Sequence, residues 1–183
     1  MGKQRILALL VFSLLVLSGF VQERWKVAIN FYLDQGDRIP GFYEMIPEER
    51  REALQTTKKS FNRPHDYYYS HETPALLCRA DRKQAVWVKW GLAILLLLYS
   101  ALFNALFIRL WFGAAQYVRW LLRMYGIALF LAFAGNGILR CTGLTDIAYL
   151  FSREILGALQ SALPSMLLLP GIWLYRYSSS HSS

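Results

Sequence analysis

The sequence predicts an all-α integral membrane protein with four transmembrane helices and one extramembrane loop, residues 22–84, between the first and second. Three observations predict it. Hydrophobic residues make up 55% of the 183 and charged residues only 17%, where a soluble globule carries about a quarter charged. The charges are also segregated: Gln22 to Gln84 holds 11 Lys/Arg and 10 Asp/Glu, while the apolar runs hold almost none. Finally, Trp87, Trp90, Trp111, Trp120, Trp173 and Tyr175 sit at the ends of those runs, where amphipathic rings meet the membrane–water boundary. The net charge of +8 forms no compact nucleic-acid patch, because the longest basic runs are Arg50-Arg51 and Lys58-Lys59.

The first element is the apolar run Ile6 to Val21, preceded by Lys3 and Arg5. A basic start and a short core also suit a cleaved signal peptide. However, "VLSGFVQER" offers a poor small-residue cleavage site with bulky Phe20 following, so residues 1–21 are expected to be an anchor. Residues 22–84 are expected to form a loop subdomain outside the membrane core. In it, "VAINFYLD" is expected at the interface, and a helix is expected from Pro47, with Glu48 and Glu49 at its positive start and Lys58 and Lys59 at its end. So short a loop buries little core alone and is expected to pack against the bundle or a partner.

Residues 85–177 supply a three-helix membrane bundle. Its helices run from about Val86 to Trp111, from Trp120 to Leu139 and from Ile155 to Tyr175. The first two are joined by "FGAAQYVR" and form an antiparallel hairpin; "RCTGLTDIAYLFSRE" is expected to be a connection before the last. Pro164 and Pro170 are expected to kink that last helix, and residues 178–183, "SSSHSS", to be disordered.

Chemistry is sought first in "HDYYYSHETPALLCRADRK", His65 to Lys83. His65, His71 and Cys78 stand six and seven residues apart, which gives no local chelate of the kind that zinc motifs use. No metal or cofactor is expected. Cys78 beside Arg79 could act as a nucleophile with His65 or His71 as base, making the protein a membrane thiol hydrolase. The alternatives are structural thiols, or a disulfide between Cys78 and Cys141, which fall on the same membrane face. The stretch reads best as a polar collar, with Arg79, Arg82, Lys83 and Lys89 meeting headgroups.

Within the spans, polar residues are costly and therefore informative. Ser100 and Asn104 share one helix face, with Ala101 and Ala105 beside them; Gly157, Ser161 and Ser165 recur every four residues, with Gln160 next to that stripe. Such stripes let helices approach and bond across the contact, so these six polar or small residues are the candidates for helix packing or partner contact. Arg109, Arg119 and Arg123 are interfacial cations, set to reach lipid phosphates or a partner's acidic face. A small transporter or secretion-complex subunit is the remaining reading; it would want mid-membrane acids, none of which is expected, or broken Gly/Pro helix pairs, for which only the last helix offers prolines.

From Trp87 onward the order of features resembles a known group. "LLLLYSALFNALFIRLWFG" leads through a tight turn to "VRWLLRMYGIALFLAFA" and then to "YLFSREILGALQSALPSMLLLPGIWLYRY". This resembles the small accessory membrane proteins of exosortase systems in Bacteroidetes, types F and X, and "INFYLDQ" (Ile29 to Gln35) matches their aromatic FY-acid stretch. The likeness covers about 90 residues well and the first 84 poorly; the long loop from Pro40 to Arg82 favours type X. It implies a multi-pass protein of the bacterial inner membrane beside an exosortase, a polytopic cysteine enzyme that acts on carboxyl-terminal sorting signals. It also implies cytoplasmic termini, an outer loop, a non-enzymatic role and no catalytic residues. Membrane lipids and an exosortase-like protein are the expected partners, with no nucleic acid.

Overall fold

The computed structural model describes residues 2–60 and 74–181, with side chains described outside 58–60 and 179–181. His65, His71 and the three tyrosines Tyr67 to Tyr69 lie outside the described residues. Among the described residues the structure is helical throughout: α1 (Lys3–Arg38), a 3-10 turn (Phe42–Glu44), α2 (Pro47–Ser60), α3 (Ala75–Cys78), α4 (Arg82–Phe112), α5 (Ala115–Cys141), α6 (Thr145–Leu159) and α7 (Leu163–His181). Helices α1, α4 and α5 are each long and apolar enough to cross a membrane, and the bent pair α6 and α7 qualifies when taken together.

Three boundaries differ from expectation. First, α1 continues unbroken past Val21 to Arg38, because "VAINFYLD" has an apolar face that finds a protein core rather than the interface. Second, the connection "RCTGLTDIAYLFSRE" is mostly helix α6. The fourth segment is therefore two helices that meet at 66°, with the break at residues 160–162, just ahead of Pro164. Proline has no amide hydrogen for the carbonyl four residues back, here that of Gln160, and its ring crowds that carbonyl, so the break falls there, while Pro170 is carried inside α7. Third, α7 runs on through residues 178–181, where disorder was expected.

The chain forms two compact units. Residues 20–94 make one. It has its own core of Ala28, Ile29, Phe31, Tyr32, Phe42, Leu54, Leu77, Cys78 and Ala85. The loop was expected to bury little core alone, yet every one of these residues except Ala85 lies within 22–84, because the second half of α1 supplies an apolar face on which α2 and α3 pack. Asp81 and Gln84 cap α4 reciprocally, with the Gln84 amide on Asp81 Oδ1 at 2.7 Å and the Asp81 amide on Gln84 Oε1 at 3.0 Å. Asp37 grips Arg82 through two hydrogen bonds of 2.7 and 3.0 Å.

The keystone of this unit is Arg50, a buried guanidinium. It donates to the carbonyls of Met45 (2.9 Å), Tyr43 (2.6 Å), Cys78 (3.1 Å) and Ala80 (2.9 Å) and to the Tyr32 hydroxyl (3.3 Å). Tyr32 itself donates to the Ala80 carbonyl at 2.6 Å. Among the described residues no carboxylate pairs with this cation, so carbonyl dipoles solvate it in place of water. One side chain thereby ties α1, the 3-10 turn, α2 and α3 together. Nearby, the Tyr43 phenol packs against Gly36, where any side chain would collide with it, and burial pushes its pKa up, with the Asp37 charge acting in the same direction.

Residues 1–19 and 95–183 make the other unit. Its core gathers Ala8, Val11, Phe107, Ile108, Tyr117, Leu121, Tyr125, Leu159 and Ile172. Helices α4 and α5 form the expected hairpin around Gly113, whose φ of 77° is open to glycine. Helix α6 lies antiparallel to α5, as three contacts in register show. Asn136 bonds the Ala148 carbonyl at 3.0 Å, Ser152 bonds the Ala132 carbonyl at 3.1 Å and Tyr125 bonds the Leu159 carbonyl at 2.8 Å. Gly135 makes that approach close, because a side chain there would overlap the Phe151 ring.

Candidate helix-packing and partner-contact site

Ser100 and Asn104 lie one turn apart on α4, and the break between α6 and α7 comes to meet them. Asn104 is fully buried. Its amide nitrogen has two hydrogens and three acceptors within reach: the carbonyls of Ser100 (2.8 Å) and Ser161 (2.9 Å) and the Tyr125 hydroxyl (3.1 Å). Its amide oxygen accepts from the Ser165 backbone at 3.3 Å and from the Ser165 hydroxyl. Tyr125 passes its own proton to the Leu159 carbonyl at 2.8 Å. A helix break leaves carbonyls and amides without intrahelical partners, and apolar surroundings make each one costly. Asn104 and Tyr125 satisfy those of Leu159, Ser161 and Ser165, and so the node both permits and fixes the bend.

Four of the residues selected from sequence therefore meet: Ser100, Asn104, Ser161 and Ser165. Ser161 also caps α7, since its hydroxyl accepts from the Leu163 amide at 3.1 Å and donates to the Ala158 carbonyl at 2.7 Å. Gln160 is buried at the break. Gly157 differs from expectation: nothing lies within 4 Å of where its Cβ would be, so among the described residues no helix uses it for close approach. Tyr125 was missed. A lone tyrosine in "RMYGIALF" looks like an interfacial ring, and its spacing gives no sign that it faces Asn104.

The cations behave in two ways. Arg109 turns back to donate to the Gly113 carbonyl at 2.8 Å, closing the end of α4. Arg119 and Arg123 are exposed on the first turns of α5. Arg176, which the sequence reading did not single out, lies 5.1 Å from the Phe112 ring centroid and 5.3 Å from that of Tyr117. It donates to the Phe112 carbonyl at 2.7 Å and the Tyr117 hydroxyl at 3.1 Å. Arg109 and Arg176 thus both fasten the α4–α5 turn. Lys3 and Arg5 begin α1, within two turns of Ala8, which shares a core cluster with Phe107, Ile108 and Tyr117. No acid occurs in residues 1–19 or 95–145.

No disulfide joins Cys78 and Cys141. Cys78 is 2% exposed in the core of residues 20–94, with its carbonyl held by Arg50, whereas Cys141 is exposed at the end of α5. A thiol so enclosed is closed to a substrate. Among the described residues no three His, Cys, Asp or Glu side chains gather as metal ligands. No protein-family model matches the chain, and neither does any curated protein or solved structure.

Proposed function

We propose that the chain is a four-span, non-enzymatic accessory protein of an exosortase-type sorting system, one that binds or stabilises the membrane-embedded processing enzyme. The observation that carries the non-enzymatic half is the Asn104 node. Its polar groups bond to one another across α4, α5, the break and α7, which leaves them committed to holding helices rather than to a substrate. The likeness from Trp87 onward supplies the sorting half.

The fourth span is α6 and α7 taken together. From Asn136 opposite Ala148 to Tyr117 opposite Arg176, the pair follows α5 over 19 residues, about 28 Å at helical rise and close to the hydrocarbon thickness. Both termini then share the pole that carries Lys3, Arg5, Arg109, Arg119, Arg123 and Arg176. Basic residues flank the spans at both poles, with Arg24, Lys26, Arg79, Arg82 and Lys83 on the loop side, so charge alone leaves the orientation tied and the likeness from Trp87 onward decides it. The termini are accordingly cytoplasmic, in a bacterial inner membrane, and the loop unit is outside.

The test is to solubilise the full-length protein from its own membranes in mild detergent and identify what accompanies it, alongside a deletion strain assayed for processing of sorted proteins. The expected result is co-purification of a polytopic cysteine processing enzyme and loss of processing on deletion. Processing should survive Cys78→Ser. Full processing in the deletion strain would overturn the accessory role, and abolition by Cys78→Ser with an intact fold would restore the thiol-hydrolase reading.

A further inference from the structure

The connection that turned out to be helix carries two charges into the bundle. Arg153 and Glu154 follow Ser152, which bonds the Ala132 carbonyl, and precede Leu159, whose carbonyl Tyr125 holds. They therefore lie level with Phe130 and Leu131, the centre of the uncharged run of α5 between Arg123 and Arg140. Both are exposed, and among the described residues neither forms an ion pair. The Asn136 end of that span is five or six residues farther along α5, about 7–9 Å at helical rise, which is beyond the reach of the Glu154 carboxylate from its backbone. Charges at such depth otherwise face a bundle interior or one another. Being adjacent on the helix, these two point about 100° apart and cannot pair within one chain.

A second observation marks the same face. Ile147, Leu150, Glu154 and Gly157 recur at spacings of three, four and three, the seam of a packed helix pair. Ile147 and Leu150 are exposed, and Gly157 has open space above it, which suits the close approach of another helix. Its lack of a neighbour within the chain is explained if the neighbour is elsewhere.

We propose that this face of α6 is a homodimer interface, with Arg153 of each copy paired to Glu154 of the other. The inference rests on the proposed reading of α6 and α7 as one span. Two copies inserted with the same topology are related by a two-fold axis along the membrane normal, so equal depths meet equal depths. Glu154 lies in the seam and Arg153 at its edge; the two-fold brings each Arg153 to the other copy's Glu154 and makes two ion pairs. One surface bearing both signs at one depth complements itself, which a partner of single charge would not satisfy.

The experiment reconstitutes the full chain, labelled with donor or acceptor dye, in phosphatidylethanolamine/phosphatidylglycerol vesicles and measures energy transfer as lipid is added. Wild type should dimerise. Arg153→Glu alone and Glu154→Arg alone should each weaken association about tenfold or more, because like charges then oppose. Mixing those two variants, or combining both changes in one chain, should restore transfer. Gly157→Leu should weaken it with the Asn104 node intact. Monomeric wild type at every lipid ratio, or single swaps that dimerise like wild type, would overturn the interface; so would a heterologous protein being needed for association. A nitroxide at Arg153→Cys, in a Cys141→Ser background, tests the span separately. Quenching by oxygen rather than by a water-soluble nickel chelate keeps the span, while the reverse removes the span and this inference together.

Discussion

Arg50→Met is expected to destabilise the unit of residues 20–94 by about 3–5 kcal/mol. The substitution takes the Arg50 donor from the carbonyls of Tyr43, Met45 and Cys78 and from the Tyr32 hydroxyl at once, and leaves the Ala80 carbonyl with Tyr32 alone. Methionine conserves volume and stem, so the loss isolates the hydrogen bonds from the packing. Arg50→Lys should recover little, because an ammonium has three donors at a point where the guanidinium has five in a fork. The neighbouring Arg51 is exposed, and Arg51→Met should fall within about 0.5 kcal/mol of wild type. Hydrogen exchange on the full-length protein in nanodiscs, followed at residues 42–57 and 75–85, reads both variants. Equal protection in Arg50→Met and Arg51→Met would show that the carbonyl cage contributes nothing.

Asn104→Leu should cost the membrane unit about 2–4 kcal/mol, since it strands the Ser161 carbonyl and both Ser165 groups in an apolar setting. Tyr125→Phe removes one donor, to Leu159, and one acceptor, for Asn104, and should cost about 1 kcal/mol. The two changes should not add, because each removes the same mutual bond, and a double-mutant cycle on thermal unfolding in micelles measures the shortfall. Leu102 is 65% exposed on the opposite side of α4 and provides the reference. A loss in Asn104→Leu no larger than in Leu102→Ala would mean that the helix break is held by something other than Asn104.

The node was legible because membrane helices reveal polar residues by contrast. Ser100, Asn104, Ser161 and Ser165 stand out against leucine, and spacing by four places each pair on one face. What spacing could not supply was the partner on α5, since Tyr125 is as much at home at an interface as in a core. The same contrast misled at "RCTGLTDIAYLFSRE". Arg153 and Glu154 read as the polar edge of a span, which starts the apolar segment after them and makes a connection of what is helix α6. Arg50 was hidden in another way: beside Arg51, Glu48 and Glu49 it reads as one charge in a solvated run. The signal that separates it is the recurrence of Arg50, Ala53, Leu54 and Thr57 on one helical face, which turns Arg50 inward and Arg51 outward.

The two cysteines also differ in a useful way. One thiol is walled into a protein core and the other stands open at the turn between α5 and α6, so an alkylating reagent excluded by lipid meets a single target. Adding it to sealed inverted and right-side-out vesicles would tell which compartment that turn faces, and the native chain therefore carries its own orientation reporter.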